Sequence, residues 1–431
     1  MAFSGSTSTV NFRSSSGSSN AAALSIVTTL FFIWGFITSL NDILIPHLRS
    51  IFSLNYAEAM LVQFAFFSAY AVFGLPAGSL VERIGYKRSM VAGLLAMCLG
   101  AILFVPAAAA PSFPLFLVAL IVLAAGITTL QVAANPYVAI LGPPHTASSR
   151  LNLTQAFNSL GTVLAPLFGA WLILGDAPKV IKDLKALTPA ALHRYHVAQA
   201  ATVKIPYVGI ALVLLLLGLL IAFYKFPRLD ITRDFRPVNP GQADSIWNYR
   251  HLVLGAIGIF VYVGAEVSIG SFLTNYFNQP NIGGYSIEAA AKLVPYYWGG
   301  AMIGRFIGAG ALQRLKTGPV VGICAIVAAV LVISSMLSFG LVAVWTILLV
   351  GLFNSILFPS IFTLAIAELG PLTGKASGLL CVAIVGGAIV PEIQGVLADH
   401  IGIHHAFILP VLCYAFIAYY GFRGSRIVIP G

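Results

Sequence analysis

Charged residues are what this chain has least of: only 8% of its 431 residues are Asp, Glu, Lys or Arg. An ordinary soluble domain carries about 25%. A soluble fold this poor in charge could not cover its own surface, which excludes a globular enzyme. Acids are the scarcer sign, 13 against 23 Lys and Arg, for a net charge of +10. A basic chain can bind nucleic acid, but here Lys and Arg stand in short clusters between apolar runs, as in the cytoplasmic loops of membrane proteins. Nucleic acid is therefore not expected as a partner. Cysteine is also rare: Cys98, Cys324, Cys381 and Cys413 each lie inside an apolar run without metal-ligand spacing. They read as small core residues. His404-His405 has no partner spacing either, so no metal, cofactor or catalytic group is expected. A charged leader and a cleavage site are missing as well. The Ser/Gly/Asn-rich start over 1–21, with Arg13 alone, reads as a disordered cytoplasmic tail.

What is present is a succession of apolar runs, each about 20 residues, the length that crosses a bilayer core. Twelve transmembrane helices are expected, over 22–45, 58–81, 88–108, 112–138, 152–175, 205–225, 250–277, 287–313, 318–339, 341–368, 374–398 and 404–422. Phe339-Gly340 is the only break between the ninth and tenth. The fold class is an all-α membrane protein in two six-helix halves. The N-terminal bundle spans 22–225 and the C-terminal bundle 250–422. A Pro-rich, charged linker over 226–249 divides them, and 423–431 forms a short tail. Lys and Arg are in excess on one set of loops, which places both termini in the cytoplasm. The long outside segment 176–204 contains "KVIKDLKALTPAALHRYH", which can form an amphipathic surface helix.

The halves resemble each other at an offset of about 230 residues. "FFIWGFITS" from Phe31 aligns with "FVYVGAEVS" from Phe260, and "AGSLVER" from Ala77 with "AGALQR" from Ala309. Parallel repeats with a midplane site between them are a transporter architecture. Ionisable groups inside a membrane are costly unless paired or solvated, so the acids within helices are informative: Asp42, Glu266, Glu368 and Glu392. Asp42 follows Asn41 on a polar stripe with Trp34 and Thr38, and reads as a proton carrier or sugar ligand, or else as an interfacial carboxylate. Glu266, in "YVGAEVSIG", is a second coupling and binding candidate, or an interhelical hydrogen-bond partner. Glu368 reads as structural or gating. Glu392, after Pro391, reads equally as structural.

Two amide-rich stripes stand out. Helix 4 carries Thr128, Gln131 and Asn135, with Pro136 to kink it. Helix 5 carries Asn152, Gln155, Asn158 and Thr162. Amides both donate and accept, which suits a neutral polyol. An anionic substrate would favour Arg or Lys at depth, and the first half has none. The plainer alternative is helix–helix glue. In the second half the candidates are Asn275, Trp298 and Asn354, where aromatics could stack on a sugar ring.

"GSLVERIGYKR", Gly78 to Arg88, is similar to the major facilitator loop motif, with Glu82 in the usual Asp place, followed by Arg83, Gly85 and Arg88. Together with "LQVAANPYVAILG", "NSILFPSIFTLAIAELG" and "GLLCVAIVGGAIVPEIQGVLAD", it makes the chain resemble the fucose–galactose–glucose:proton symporter family of the major facilitator superfamily, over 24–423. That resemblance implies uptake of a monosaccharide across a bacterial inner membrane by a multi-pass, monomeric carrier that works with the bilayer and the sugar as partners. It implies coupling to H+, with Na+ or no ion as alternatives. It also implies that Asp42 matches the family's helix 1 carboxylate. Gln131 replaces the family's helix 4 carboxylate, and an amide cannot carry a proton. The glucose/galactose and N-acetylglucosamine branches resemble the chain most in helix 4.

Overall fold

The structure is a computed structural model that describes residues 17–52, 54, 56–109, 111–169, 188–227, 229 and 245–427. No strand occurs among the described residues. The first helix, α1, spans Gly17–Phe52. It extends past the 22–45 expected at both ends. The next two share one element, Tyr56–Ala109, with α2 over 56–84 and α3 over 86–109. They meet at Gly85, whose φ of 81° and ψ of 165° suit glycine alone. A Cβ there would touch nothing, so the motif's glycine is required by backbone conformation, not by space.

Then come α4 (Phe113–Ile140) and α5 (Ala147–Gly169), split by Pro143 and Pro144. A short helix, Pro189–Ala201, capped by Thr188, precedes α6 (Lys204–Phe223). It occupies part of the segment expected to form a surface helix; 170–187 lie outside the described residues. The second half holds α7 (Arg250–Asn278), α8 (Val294–Ala311), α9 (Thr317–Leu337), α10 (Gly340–Ala365), α11 (373–401) and α12 (Ile403–Gly424). The break between α9 and α10 falls at Phe339-Gly340, as the sequence suggests. Of the linker, 230–244 lie outside the described residues.

Among the described residues, nine stretches are by themselves long and apolar enough to cross a membrane, and one of these, Leu61–Ala109, holds both α2 and α3. The two helices outside the nine are α5 and α8. One carries the amide stripe and the other the Pro, Gly, Tyr and Arg of "VPYYWGGAMIGRFIGAGA". Polar faces must be shielded from lipid by protein; those of these two helices turn to each other, while Ile303 and Ile307 of α8 face outward. Elsewhere the bundle turns long apolar faces outward, such as Leu95, Leu99 and Ile102 of α3 and Ile323, Ile326, Val330 and Leu337 of α9. Those faces suit lipid, not water.

The halves, α1–α6 and α7–α12, meet through α2 against α11 and α5 against α8, with α4–α11 and α5–α10 beside them. The hydrogen bonds between them run from the end that carries the α2–α3 turn, here the basic end, to the bundle's middle. Towards the opposite end α5 exposes Val163, Leu167 and Phe168. The bundle is thus joined most closely at its basic end.

Candidate functional site between the halves

At the middle of the α5–α8 crossing sits Arg305, a residue that the sequence expectations pass over. Its Nη2 lies 3.7 Å from Glu266 Oε1, with both side chains 12% exposed. Its Nε donates to the main-chain oxygen of Ser355, 3.2 Å away, where α10 breaks. Its Nη1 reaches the other half, donating to the Gln155 carbonyl at 3.4 Å and to Ser159 Oγ. One guanidinium therefore ties α8 to α7, α10 and α5. Its planar fork of five donors allows this, whereas a lysine could not serve all four groups with the same geometry.

The same Oε1 of Glu266 also accepts from the Tyr262 hydroxyl at 2.7 Å. The Tyr297 hydroxyl lies 3.4 Å from the Glu266 carbonyl and accepts from Asn354 Nδ2 at 3.1 Å. Tyr414 donates to Asn354 Oδ1 at 3.2 Å. Two residues that the sequence singles out, Glu266 and Asn354, are thus brought into one network, with three tyrosines and Arg305 as members that the sequence pattern does not single out. Asn354 is fully buried with both ends of its amide engaged, so it acts as a brace in this state. A signal for Arg305 was available: it is a basic residue in the interior of an expected membrane helix, the same logic that selects Glu266.

In the first half, Gln131 is buried and donates to the Tyr70 hydroxyl at 2.7 Å, linking α4 to α2. Asn135, one turn further, is fully buried, and neither polar atom of its amide has a partner among the described residues. Gln155 is buried next to the carbonyl that receives Arg305. Asn158 donates to the Phe31 carbonyl of α1 at 2.9 Å and packs against Gly35, so it contributes at least partly as helix–helix glue. Asn152 donates across the halves to Ser360 Oγ at 3.3 Å. Asn41 and Asp42 have side chains outside the described residues.

Asn275 lies exposed towards the far end of α7 and is not brought into the network. Trp298 packs its ring on Gly270 of α7 and lies beside Tyr297. Glu368 sits at the α10–α11 turn with φ 58°, and Glu392 is exposed on α11. His404 stacks on Phe339 and bonds Tyr276 and the Met336 carbonyl, all within the second half. Among the described residues no group of His, Cys, Asp and Glu could hold a metal.

The loop motif closes the basic end. Glu82 pairs with Lys375 of α11 at 2.9 Å, across the halves. Arg83 and Arg88 are exposed. Beneath the pair, a Cβ on Gly78 would come 2.8 Å from the Gly374 carbonyl oxygen, so only glycine allows α2 and α11 to approach this closely.

Two helical halves joined at their basic end, with amides, tyrosines and one ion pair along the seam, form the architecture of a membrane carrier. The Major Facilitator Superfamily model matches residues 26–390. The chain belongs to that superfamily, and within it to the fucose–galactose–glucose:proton symporter family. It is 54% identical to a glucose/galactose transporter of Brucella abortus biovar 1 (strain 9-941), over 94% of each chain. It is 36% identical to the L-fucose-proton symporter of Escherichia coli (strain K12), over 91% of this chain and 90% of that one. Among solved structures it resembles the major facilitator transporter FucP in its outward conformation, with a TM-score of 0.87 and 34% identity, covering 95% of this chain and all of that one.

Proposed function

We propose that the chain takes up a monosaccharide of the glucose/galactose type by alternating access, coupled to proton symport across a bacterial inner membrane. The observation that carries this is the end-to-end similarity to a glucose/galactose transporter, 54% over 94% of both chains. The site supports it chemically. Gln131, Asn135 and Gln155 offer amides that suit sugar hydroxyls, and the mostly buried cation Arg305 is already matched by Glu266. In this reading the basic end faces the cytoplasm, both termini lie there, and the structure is the outward-facing state. The N-terminal bundle over 22–225 and the C-terminal bundle over 250–422 are its moving units, the carrier works as a monomer, and Asp42 titrates with Glu266 as the second candidate.

The substrate and the ion are tested together by counterflow of a monosaccharide panel in proteoliposomes, with and without proton and sodium gradients. Glucose and galactose are expected to exchange, and a proton gradient to drive accumulation. Asp42→Asn should abolish accumulation and leave part of the exchange, since exchange needs no net proton movement. One observation favours a second reading, an uncoupled facilitator: Gln131 stands where the family carries a carboxylate and is bonded to Tyr70. Accumulation that never occurs with any ion would decide for that alternative, and accumulation that survives both Asp42→Asn and Glu266→Gln would decide against coupling at these residues.

A further inference from the structure

A ligand shifts a carrier between states only if it binds one state better than another. A sugar that bonded only the first half would give the second half no reason to close on it. Yet the second half's evident polar groups are committed: Asn354 to Tyr297 and Tyr414, Glu266 to Tyr262 and Arg305. Among the described residues of that half, the buried side-chain polar atoms without a partner belong to just two residues, Ser268 of α7 and Gln394 of α11. Both residues are 0% exposed.

They share one level of the α7–α11 contact. Gly264 packs on Val390, and Gly395 faces Phe272. Ser268 is one turn beyond Gly264, and Gln394 one turn beyond Val390. Ser268 also forgoes the bond to the carbonyl four residues earlier that Thr128 and Ser159 make. Gln394 lies on a telling face of its helix. Seven residues earlier, close to two turns, Gly387 packs against Phe67 of α2 in the other half. Two turns before Gln394, α11 thus meets the first half through Phe67 and α7 through Val263, and Gln394 itself is buried on that side of the helix.

Resting on the sugar reading above, we infer that Gln394, with Ser268 beside it, is the second half's ligand for sugar hydroxyls, engaged as the halves close on the substrate. A glutamine amide donates twice and accepts, so it can hold one or two hydroxyls of a neutral hexose. A buried amide without a partner is costly, and bonding to the sugar removes that cost only in the loaded, closed state. This is how binding would favour closure.

The test uses the full-length purified protein and D-glucose. Gln394→Leu keeps the bulk and removes the amide. It is expected to leave the ligand-free melting temperature unchanged or raised, to abolish most of the glucose-induced rise, and to weaken counterflow half-saturation by roughly threefold to tenfold. Ser268→Ala should shift half-saturation the same way by less. Across a set of singly deoxygenated glucoses, one should lose most of the difference between wild type and Gln394→Leu, because it lacks the bonded hydroxyl. If Gln394→Leu lowers the ligand-free melting temperature while half-saturation stays at wild type, the amide is structural and the assignment falls. Should that variant not fold, Gln394→Asn answers the same question: weakened binding at an unchanged melting temperature supports it, and unchanged binding overturns it. A wild type that shows no response to glucose would sink the sugar reading itself, which separates the two failures.

Discussion

The two crossings that close the basic end do the same job with different materials. At α2–α11 the helices touch through Gly74, Gly78, Gly374 and Gly378, and the only charges are Glu82 and Lys375 at the exposed rim. At α5–α8 the contact is polar and runs deep: Ser149 Oγ donates to the Ala309 carbonyl at 2.5 Å, and Arg305 reaches Gln155 and Ser159 from beside Glu266. The first crossing is limited by how near two backbones can come. The second is limited by whether a buried charge keeps its partners. A closed end built this way separates shape from charge, so the two can be broken independently.

The largest effect is expected at the charged crossing. Arg305→Leu leaves Glu266 buried without its counter-ion, a loss of roughly 3–5 kcal/mol. Thermal unfolding should fall sharply and counterflow should stop. Adding Glu266→Gln to that variant should restore much of the stability, and a double variant no better than the single one would dissolve the pair. Next comes the glycine crossing. Gly78→Ala puts a methyl 2.8 Å from a carbonyl oxygen, and overpacking of this kind costs about 1–3 kcal/mol. Because the clash exists only when the basic end is closed, a reporter cysteine at Ser377 should label faster in the variant. Equal labelling would mean that α2 and α11 tolerate the methyl.

A smaller effect, about 0.5–1.5 kcal/mol, is expected for Asn158→Ala, which loses the bond to Phe31. If its main work is to hold α1 to α5, stability should fall while glucose half-saturation stays close to wild type; the opposite pattern would return Asn158 to the sugar. The smallest belongs to the rim. Glu82→Gln should change stability by under about 1 kcal/mol, and less at high salt. A large, salt-independent loss would show that the pair is more than a surface contact.

The fold was legible because the signals that specify it are long-range and redundant: apolar runs of bilayer length, basic loops, and a repeat of the half. Even the break at Phe339-Gly340 showed. The motif's two glycines were legible as a motif but not in their different jobs, since only geometry separates the φ of Gly85 from the close approach at Gly78. The site was half legible. Intramembrane polarity points to Glu266, Gln131 and Asn354, and by the same logic to Arg305. What sequence could not give was pairing. Nothing in the stripe of α5 says that Asn158 turns to α1 while Ser159, one residue on, receives Arg305. Partners separated by about 150 residues are set by tertiary packing, which a helix periodicity does not encode.

The central claim is that the halves rock against each other so that this closed end must part to release the substrate, and one cross-link tests it directly. Ser148 of α5 and Thr363 of α10 have hydroxyl oxygens 2.6 Å apart across the halves. Cysteines at both positions, in a background with Cys98, Cys324, Cys381 and Cys413 replaced, stand within reach of a disulfide. The oxidised protein is expected to bind glucose yet show no counterflow, and reduction should restore exchange. Counterflow at the unlinked rate with the disulfide formed would contradict the claim.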